Sequence, residues 1–348
     1  MVPAIAVADA LRDRGAEVSF LGTSERAEAR LVPAAGYEID FLRVSGLDRR
    51  NPLRAAAAAG RAAAAVRVAR GVLNRRGAAA VLGGGGYVAG PAGLAAVTRG
   101  IPLVLTEADS HLGLTNRLLA SRARRVCLAF PIPGREGDPY LVTGRPVPRP
   151  VVEADRGAAR KRFEIGEKEQ CLTVIGGSLG ARSINEAALE AFGRDEAGPW
   201  LLHVAGHRDY AALRERLDSA GAPPRYVLLE YEPDLGDVLA AADLVVSRAG
   251  GSVMEIAAAG RPAILVPYPH ATADHQTTNA RWMADGGAAT VIPDPELDAP
   301  RLRRECDALL ADRARLSAMA EESARLARPD AAERIAEEVL TATRGEAA

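Results

Sequence analysis

The stretch Asp243–Pro267, DLVVSRAGGSVMEIAAAGRPAILVP, decides the fold. Its two short apolar runs, LVV and AILV, have no polar alternation, which is the pattern of strands covered on both faces of a parallel sheet. The first strand ends at Ser247. Arg248-Ala249-Gly250-Gly251-Ser252 makes a turn, a helix carries Glu255, and the second strand follows Gly260-Arg261-Pro262. Working outward, the same alternation of β-like and Ala-rich helical runs fills the chain. Further strands are expected at Val18–Leu21, Glu38–Leu42, Ala79–Leu82, Leu103–Leu105 and Val126–Ala129, then at Leu172–Ile175, Leu201–Val204, Val227–Leu229 and Thr290–Ile292. The whole reads as α/β, with two doubly wound, Rossmann-like domains.

The boundary falls in GRPVPRPVVEADRGAARKRF, where Pro146, Pro148 and Pro150, with Pro139 nearby, forbid a continuous helix or central strand. A helix is expected to begin around Asp155. The domains are therefore placed at 1–148 and 149–328, and residues 329–348 are a helical tail that packs back on the first domain.

At 348 residues, with 48% hydrophobic and 26% charged residues, the chain suits a globular protein of about two domains. Aromatics are 4%, so the core is built from Val, Leu, Ile and Ala. No apolar run reaches the ~18–20 residues of a membrane span, and the first residues lack the basic lead and cleavage site of a signal peptide. Cys127, Cys171 and Cys306 are odd in number, far apart and set among apolar residues, so buried free thiols in a reducing compartment are expected. The net charge of −1 hides an asymmetry: residues 1–150 hold 21 Arg, no Lys and 12 acids, a net of +9, and the remainder carries −10. The first half is therefore expected to face an anionic partner. Nucleic acid is the weakest choice, because aromatics for base stacking are scarce and no recognition module is present.

Three glycine-rich loops follow strands. Gly83–Pro91, GGGGYVAGP, lies before a helix expected near Ala92 and includes Gly84, Gly85, Gly86 and Tyr87; backbone N–H groups can approach an anion there, or the loop is a plain tight turn. Gly176–Ala181, GGSLGA, offers Ser178 and a helix start to a phosphate or sugar hydroxyl. In the third, Gly250 and Gly251 leave room for a diphosphate, and the Glu255 carboxylate can accept two hydrogen bonds from a vicinal diol such as a ribose. The alternative is that Glu255 merely complements a helix dipole. His270–Ala280, HATADHQTTNA, follows a strand at its carboxyl end, where Asp274, Gln276 and Asn279 suit sugar hydroxyls. His270 and His275 are not an i,i+4 pair and have no cysteine near, which speaks against a metal site.

These segments, in order and with VPAIAVADALRDRGAEVSFLGT, VPAAGYEIDFLRVSGL and GGYVAGPAGLAAVTRGIPLVLTEAD, resemble the family 28 glycosyltransferases of peptidoglycan synthesis along nearly the entire chain. The resemblance implies a GT-B fold, with UDP-N-acetylglucosamine on the second domain, the lipid diphosphate acceptor on the first and catalysis between them. It implies an inverting transfer that converts the undecaprenyl-diphosphate-MurNAc-pentapeptide to its disaccharide form, in cell-wall biogenesis and hence cell shape and division. It also implies peripheral attachment at the cytoplasmic face of the membrane. No cofactor is expected, since no DxD-like carboxylate pair is evident at the donor loop. Carried over by position, Ser178 is a donor contact, Glu255 meets the ribose, Gln276 holds the sugar hydroxyls and Glu232 lies in the uracil region. Gly250, Gly251, Ser252, Val253 and Met254 cover the diphosphate and uridine region in a turn one residue shorter than usual.

The departures are as informative. Thr106-Glu107-Ala108-Asp109 stands where the family has His-Glu-Gln-Asn, so Asp109 replaces a sugar-contacting asparagine. Gly144-Arg145-Pro146-Val147-Pro148-Arg149 stands for Gly-Asn-Pro-Val-Arg, leaving Arg145 or Arg149 to contact the donor. Residue 1 aligns just after the family's first strand and GGTxGH loop, whose histidine is a candidate base. The native protein is therefore expected to carry ~15 more residues, the size of one strand and its loop; within the present sequence Glu107 is the candidate. Two alternatives stay open: a related transferase acting on a diacylglycerol, and a non-catalytic donor-binding scaffold. For the membrane, Leu53–Gly77 is expected to supply Arg54, Arg61, Arg67, Arg70, Arg75 and Arg76 with Val66, Val68, Val72 and Leu73, unless its Ala-rich face simply packs on the sheet.

Overall fold

The computed structural model describes residues 1–43, 52–176, 181–232, 235–271 and 274–345, the side chains of 52–62 excepted. The chain divides into two compact units: Met1–Val147 with Arg328–Ala348, and Pro148–Ala327. Both are parallel α/β layers, as the apolar runs require.

In the first unit, α1 (Val2–Arg12), β1 (Ser19–Gly22), α2 (Glu28–Ala34) and β2 (Glu38–Phe41) lead to the long α3 (Pro52–Arg75). Then come β3 (Val81–Gly83), α4 (Gly86–Thr98), β4 (Leu103–Glu107), α5 (Leu114–Leu119), β5 (Arg125–Leu128) and β6 (Tyr140–Val142). The strands form a two-stranded sheet, β1-β2, and a four-stranded sheet, β3-β4-β5-β6. Period-two alternation along β4 divides its core: Leu103 and Leu105 join Ala69, Leu73, Ala95 and Ala96 of α3 and α4, while Val104 faces Val7, Ala10 and Leu11 of α1. The α1 side is completed by α15 (Ala331–Arg344), whose Ala332, Ile335, Ala336, Val339 and Ala342 repeat at helical spacing. Burying Ile335 and Val339 is worth ~1.5–3 kcal/mol each.

The structure corrects three sequence expectations here. The helix expected near Ala92 begins six residues earlier, at Gly86, and carries Pro91 inside it. The proline costs one hydrogen bond in the second turn but does not stop a helix whose buried Ala89, Ala92, Ala95 and Ala96 pack on the sheet. Strand β6 was not expected among the prolines; it starts immediately after Pro139 and lies at the sheet edge, where a proline is tolerated. The proline-rich connection also holds one short helix, α6 (Arg149–Glu153), with Pro150 in its first turn, where its missing N–H costs nothing.

The second unit continues with α7 (Arg156–Arg162), β7 (Cys171–Ile175), α8 (Arg182–Phe192), β8 (Trp200–Val204), α9 (Tyr210–Ser219), β9 (Tyr226–Leu229) and α10 (Leu235–Ala241). It then runs through β10 (Leu244–Ser247), α11 (Ser252–Ala258), β11 (Ala263–Leu265), α12 (His275–Asp285), β12 (Ala289–Val291), α13 (Ala299–Ala311) and α14 (Arg313–Leu326). Asp155 caps α7 by accepting from Ala158 N. The six strands lie in the order β9-β8-β7-β10-β11-β12, all parallel. Leu172, Val174, Leu244 and Val246 face one layer of helices, and Cys171, Leu202 and Val204 the other. All three cysteines are free and buried, and burial pushes the thiols of Cys127 and Cys171 up to about 12.

Candidate functional site

The strand order of the second unit generates a site by topology. From β7 the chain winds outward through β8 and β9, returns beside β7 as β10 and winds the other way through β11 and β12. The direction reverses between β7 and β10, and the loops leaving their carboxyl ends diverge there and leave a crevice. Those loops begin at Gly176 and at Arg248. A side chain is excluded at Gly176, where a Cβ would stand 2.9 Å from Asn185 Oδ1 and 3.0 Å from the Ala205 oxygen. Ser178 lies outside the described residues.

The loop after β10 is held from three sides. Ser252 Oγ donates to the Arg248 oxygen at 3.2 Å. Buried Asn279, on α12, donates to the Ala249 oxygen at 3.1 Å. Arg248 reaches Asp294 and Ser183 Oγ, the latter at 2.8 Å, and donates to the Val266 oxygen at 3.2 Å. Arg248 thus ties together the loops after β10 and β11 and the start of α8. In the sequence Arg248 reads as a turn residue; an arginine at a strand end beside small residues is the signal of its tying role. Asn279, expected to serve sugar hydroxyls, is buried beneath this loop and shapes it instead.

Gln276 sits in the first turn of α12. Its Oε1 accepts from Tyr268 N at 3.0 Å, and its Nε2 lies 3.8 Å from where a Cβ on Gly250 would be. Glu255 is half-buried in the first turn of α11, with Val253 and Met254 turned into the core behind it. The structure therefore gathers Gly250, Gly251, Ser252, Glu255 and Gln276 at one corner of the sheet's carboxyl edge. Asp274, in a left-handed conformation, receives the Thr277 hydroxyl at 2.6 Å. Among the described residues no three His, Cys, Asp or Glu side chains group as metal ligands.

On the far side of the crevice Glu232 is buried and ion-paired to Arg162 at 2.5 Å. Beside it Tyr231 is exposed and stacks on His207 at 5.2 Å. Tyr231 and Tyr268 escaped sequence reading; in a chain so poor in aromatics, tyrosines just after β9 and β11 were a usable signal. Beneath these loops a polar chain crosses the sheet. His203, fully buried on β8, has Nδ1 2.7 Å from Tyr226 OH and Nε2 3.0 Å from Asn185 Oδ1. The Asn185 amide donates to Asp209 at 3.0 Å, so Oδ1 can only accept and the imidazole proton is on Nε2. The Arg208 hydrogen bond outweighs burial and holds the Asp209 carboxyl below its ordinary range.

In the first unit the glycine loop is a tight one. Gly85 and Gly86 take φ of 77° and 75°, a left-handed conformation that favours glycine. Tyr87 is exposed, under Arg26 at 5.4 Å, and Gly84 lies above Thr106. Glu107 is buried, and its carboxylate is engaged by Gly113 N at 2.8 Å, Asn116 Nδ2 at 2.9 Å and Asp109 N at 3.3 Å. That arrangement fixes the loop presenting Asp109 and occupies both Glu107 carboxylate oxygens. Arg145 belongs to the first unit and Arg149, exposed on α6, to the second.

Residues 1–128 match the model of the glycosyltransferase family 28 N-terminal domain, and residues 171–335 that of the family 28 C-terminal domain. The chain belongs to glycosyltransferase family 28. Within family 28 it is 40% identical over 360 residues to the UDP-N-acetylglucosamine--N-acetylmuramyl-(pentapeptide) pyrophosphoryl-undecaprenol N-acetylglucosamine transferase of Moorella thermoacetica, covering 97% of this chain and 94% of that one. It is 43% identical to the transferase of the same name from Alkalilimnicola ehrlichii, over 96% and 93%. The crystal structure of Acinetobacter baumannii MurG superposes with a TM-score of 0.77 at 32% identity, covering 97% and 95%. A UDP-GlcNAc 2-epimerase from Neisseria meningitidis, at 14% identity and a TM-score of 0.68, covers 98% and 96% and shares the fold alone. The family 28 fold is thus GT-B, two parallel α/β units.

Proposed function

We propose that this chain is a hexosyltransferase that moves N-acetylglucosamine from UDP to the N-acetylmuramyl-(pentapeptide) pyrophosphoryl-undecaprenol acceptor in peptidoglycan synthesis. The observation that carries the reading is identity of 40–43% over at least 96% of the chain to transferases of that name. Neither a diacylglycerol acceptor nor a scaffold role is favoured by these relatives. The second unit takes the donor: Glu255 binds the ribose diol, Gln276 and Ser178 the sugar and diphosphate, and Gly250 to Met254 form the bed beneath them. Glu232, committed to Arg162, orders the uracil loop rather than meeting the base with its carboxylate. The acceptor hydroxyl attacks the anomeric carbon in line with departing UDP, and backbone N–H groups at Gly176 and Gly250 stabilise the charge growing on the diphosphate.

The first unit takes the lipid diphosphate at Gly84–Tyr87 and rests on the cytoplasmic face of the membrane. No helix among the described residues is long and apolar enough to cross it. The basic patch expected on α3 is smaller than its sequence: Val72 and Leu73 are buried, and Arg75 and Arg76 pair with Asp40. The side chains of Arg54 and Arg61 lie outside the described residues. Arg67, Val68 and Arg70 remain exposed, and α5 adds exposed Leu114, Arg117 and Leu118 at i, i+3 and i+4. Transfer of labelled sugar from UDP-N-acetylglucosamine to the lipid-linked acceptor tests the reading. Glu255→Ala is expected to keep the fold and weaken UDP binding by at least tenfold, since each charged hydrogen bond is worth ~1.5–3 kcal/mol. No binding of UDP-N-acetylglucosamine by the unaltered chain would overturn the donor reading, and unchanged UDP affinity in Glu255→Ala would remove Glu255 from the site.

A further inference from the structure

Because every strand of the second unit runs the same way, its amino edge lies opposite the donor crevice. There, a cavity of about 520 Å³ opens below β7, β10 and β11, floored by the residues that precede them: Gln170, Asp243 and the pair Arg261-Pro262. The size is that of a small-molecule site. One wall is a face of α14 carrying Arg313, Leu316, Ser317 and Ala320, and another is the segment 167–170.

The cavity is built, not incidental. Asp243 accepts from Arg156 at 2.5 Å, from Arg160 at 2.8 Å and from Cys171 N at 2.8 Å. Arg160, itself buried, donates to the oxygens of Gly166, Glu167 and Glu169 at 2.7, 3.1 and 2.9 Å and so sets the wall. Glu169 is occupied by Gly166 N, Trp200 Nε1 and Arg225. With Asp243 and Glu169 taken up, Arg261, Arg313 and Lys168 face the space with Glu167 as the remaining carboxylate. Arg261 is the telling residue. It donates to the Ala242 oxygen at 3.2 Å, but its Nε is buried without a partner. A desolvated guanidinium with an unmet donor is costly unless an acceptor is supplied. Burial and then the charge of Arg156 push its pKa down to about 10, as for a cation short of counter-charge.

We propose that this cavity is a second binding site, distinct from the donor crevice, for a small phosphorylated molecule bearing hydroxyls. Phosphate oxygens accept from the Arg261 guanidinium where it lines the cavity, from Arg313 and from Lys168, and a hydroxyl donates to Glu167. The proposal does not depend on the transferase reading. Calorimetry on the full chain with glucose 1-phosphate, alone and with UDP saturating, tests it. The expected result is a binding event that survives UDP. It weakens at least tenfold in the exposed double variant Arg313→Glu with Lys168→Glu and in Arg261→Met, while Glu255→Ala leaves it intact. Absence of binding, loss of binding on adding UDP, or unchanged binding in the double variant would each overturn the proposal. Should Arg261→Met fail to fold, the double variant, altered only at exposed positions, decides alone.

Discussion

His203 shows how a single side chain couples the site's foundations to pH. It is fully buried, and burial lowers its pKa to about 3. Above pH ~6.5 neither folded nor unfolded chain protonates it; between ~6.5 and 3 only the unfolded chain does, so acid drains stability. The loss amounts to ~2 kcal/mol by pH 5. Urea unfolding at pH 7, 6 and 5 should show this slope in the native chain and not in His203→Gln, which is less stable at pH 7 but cannot titrate; equal slopes would refute it. At this scale legibility was uneven. Glu255 and Gln276 are expected from motif order, and the structure sets them on the first turns of α11 and α12. The hydrogen-bond partners of Arg248 and Asn279 were not legible, because they lie on segments distant in sequence; those of Glu107 are within nine residues but depend on the turn that brings Gly113 and Asn116 back to it.

Among the elements, every strand but β6 lies within two residues of its expected bounds, because continuous apolar runs bounded by polar turns leave little choice of period. Helix starts are less legible: Pro91 reads as a residue ahead of α4, yet burial of the alanines on either side carries the helix through it. The junction of β6 with α15 was invisible in sequence, yet it makes a sharp demand. Gly144 has φ of 89°, and a Cβ there would stand 2.4 Å from Arg328 Cβ and 3.4 Å from Ala331 Cβ. Gly144→Ala should therefore cost ~3 kcal/mol through strained backbone and displacement of the α15 start. Thermal and urea unfolding would measure it, and a change under 1 kcal/mol would mean that the helix start gives way freely.

For the whole molecule, the charge asymmetry was plain from composition, whereas the surface that displays it was not, since α5 has too few residues to reveal a face before its packing is known. Leu118→Asp with Arg117→Glu should reduce co-sedimentation with anionic vesicles at least tenfold, the basic residue contributing ~1 kcal/mol and the leucine a similar apolar term. Salt should reduce what remains; binding that ignores both would place the membrane contact elsewhere. The return of α15 to the first unit has a consequence for biogenesis. The second unit is one uninterrupted length of chain, Pro148–Ala327, whereas the first needs Ala331–Arg344 to cover Val7, Leu11 and Val104. On the ribosome the usual order is therefore inverted. The segment made first must wait with an apolar sheet face uncovered while the later one folds, which makes the nascent first unit the natural client of a chaperone.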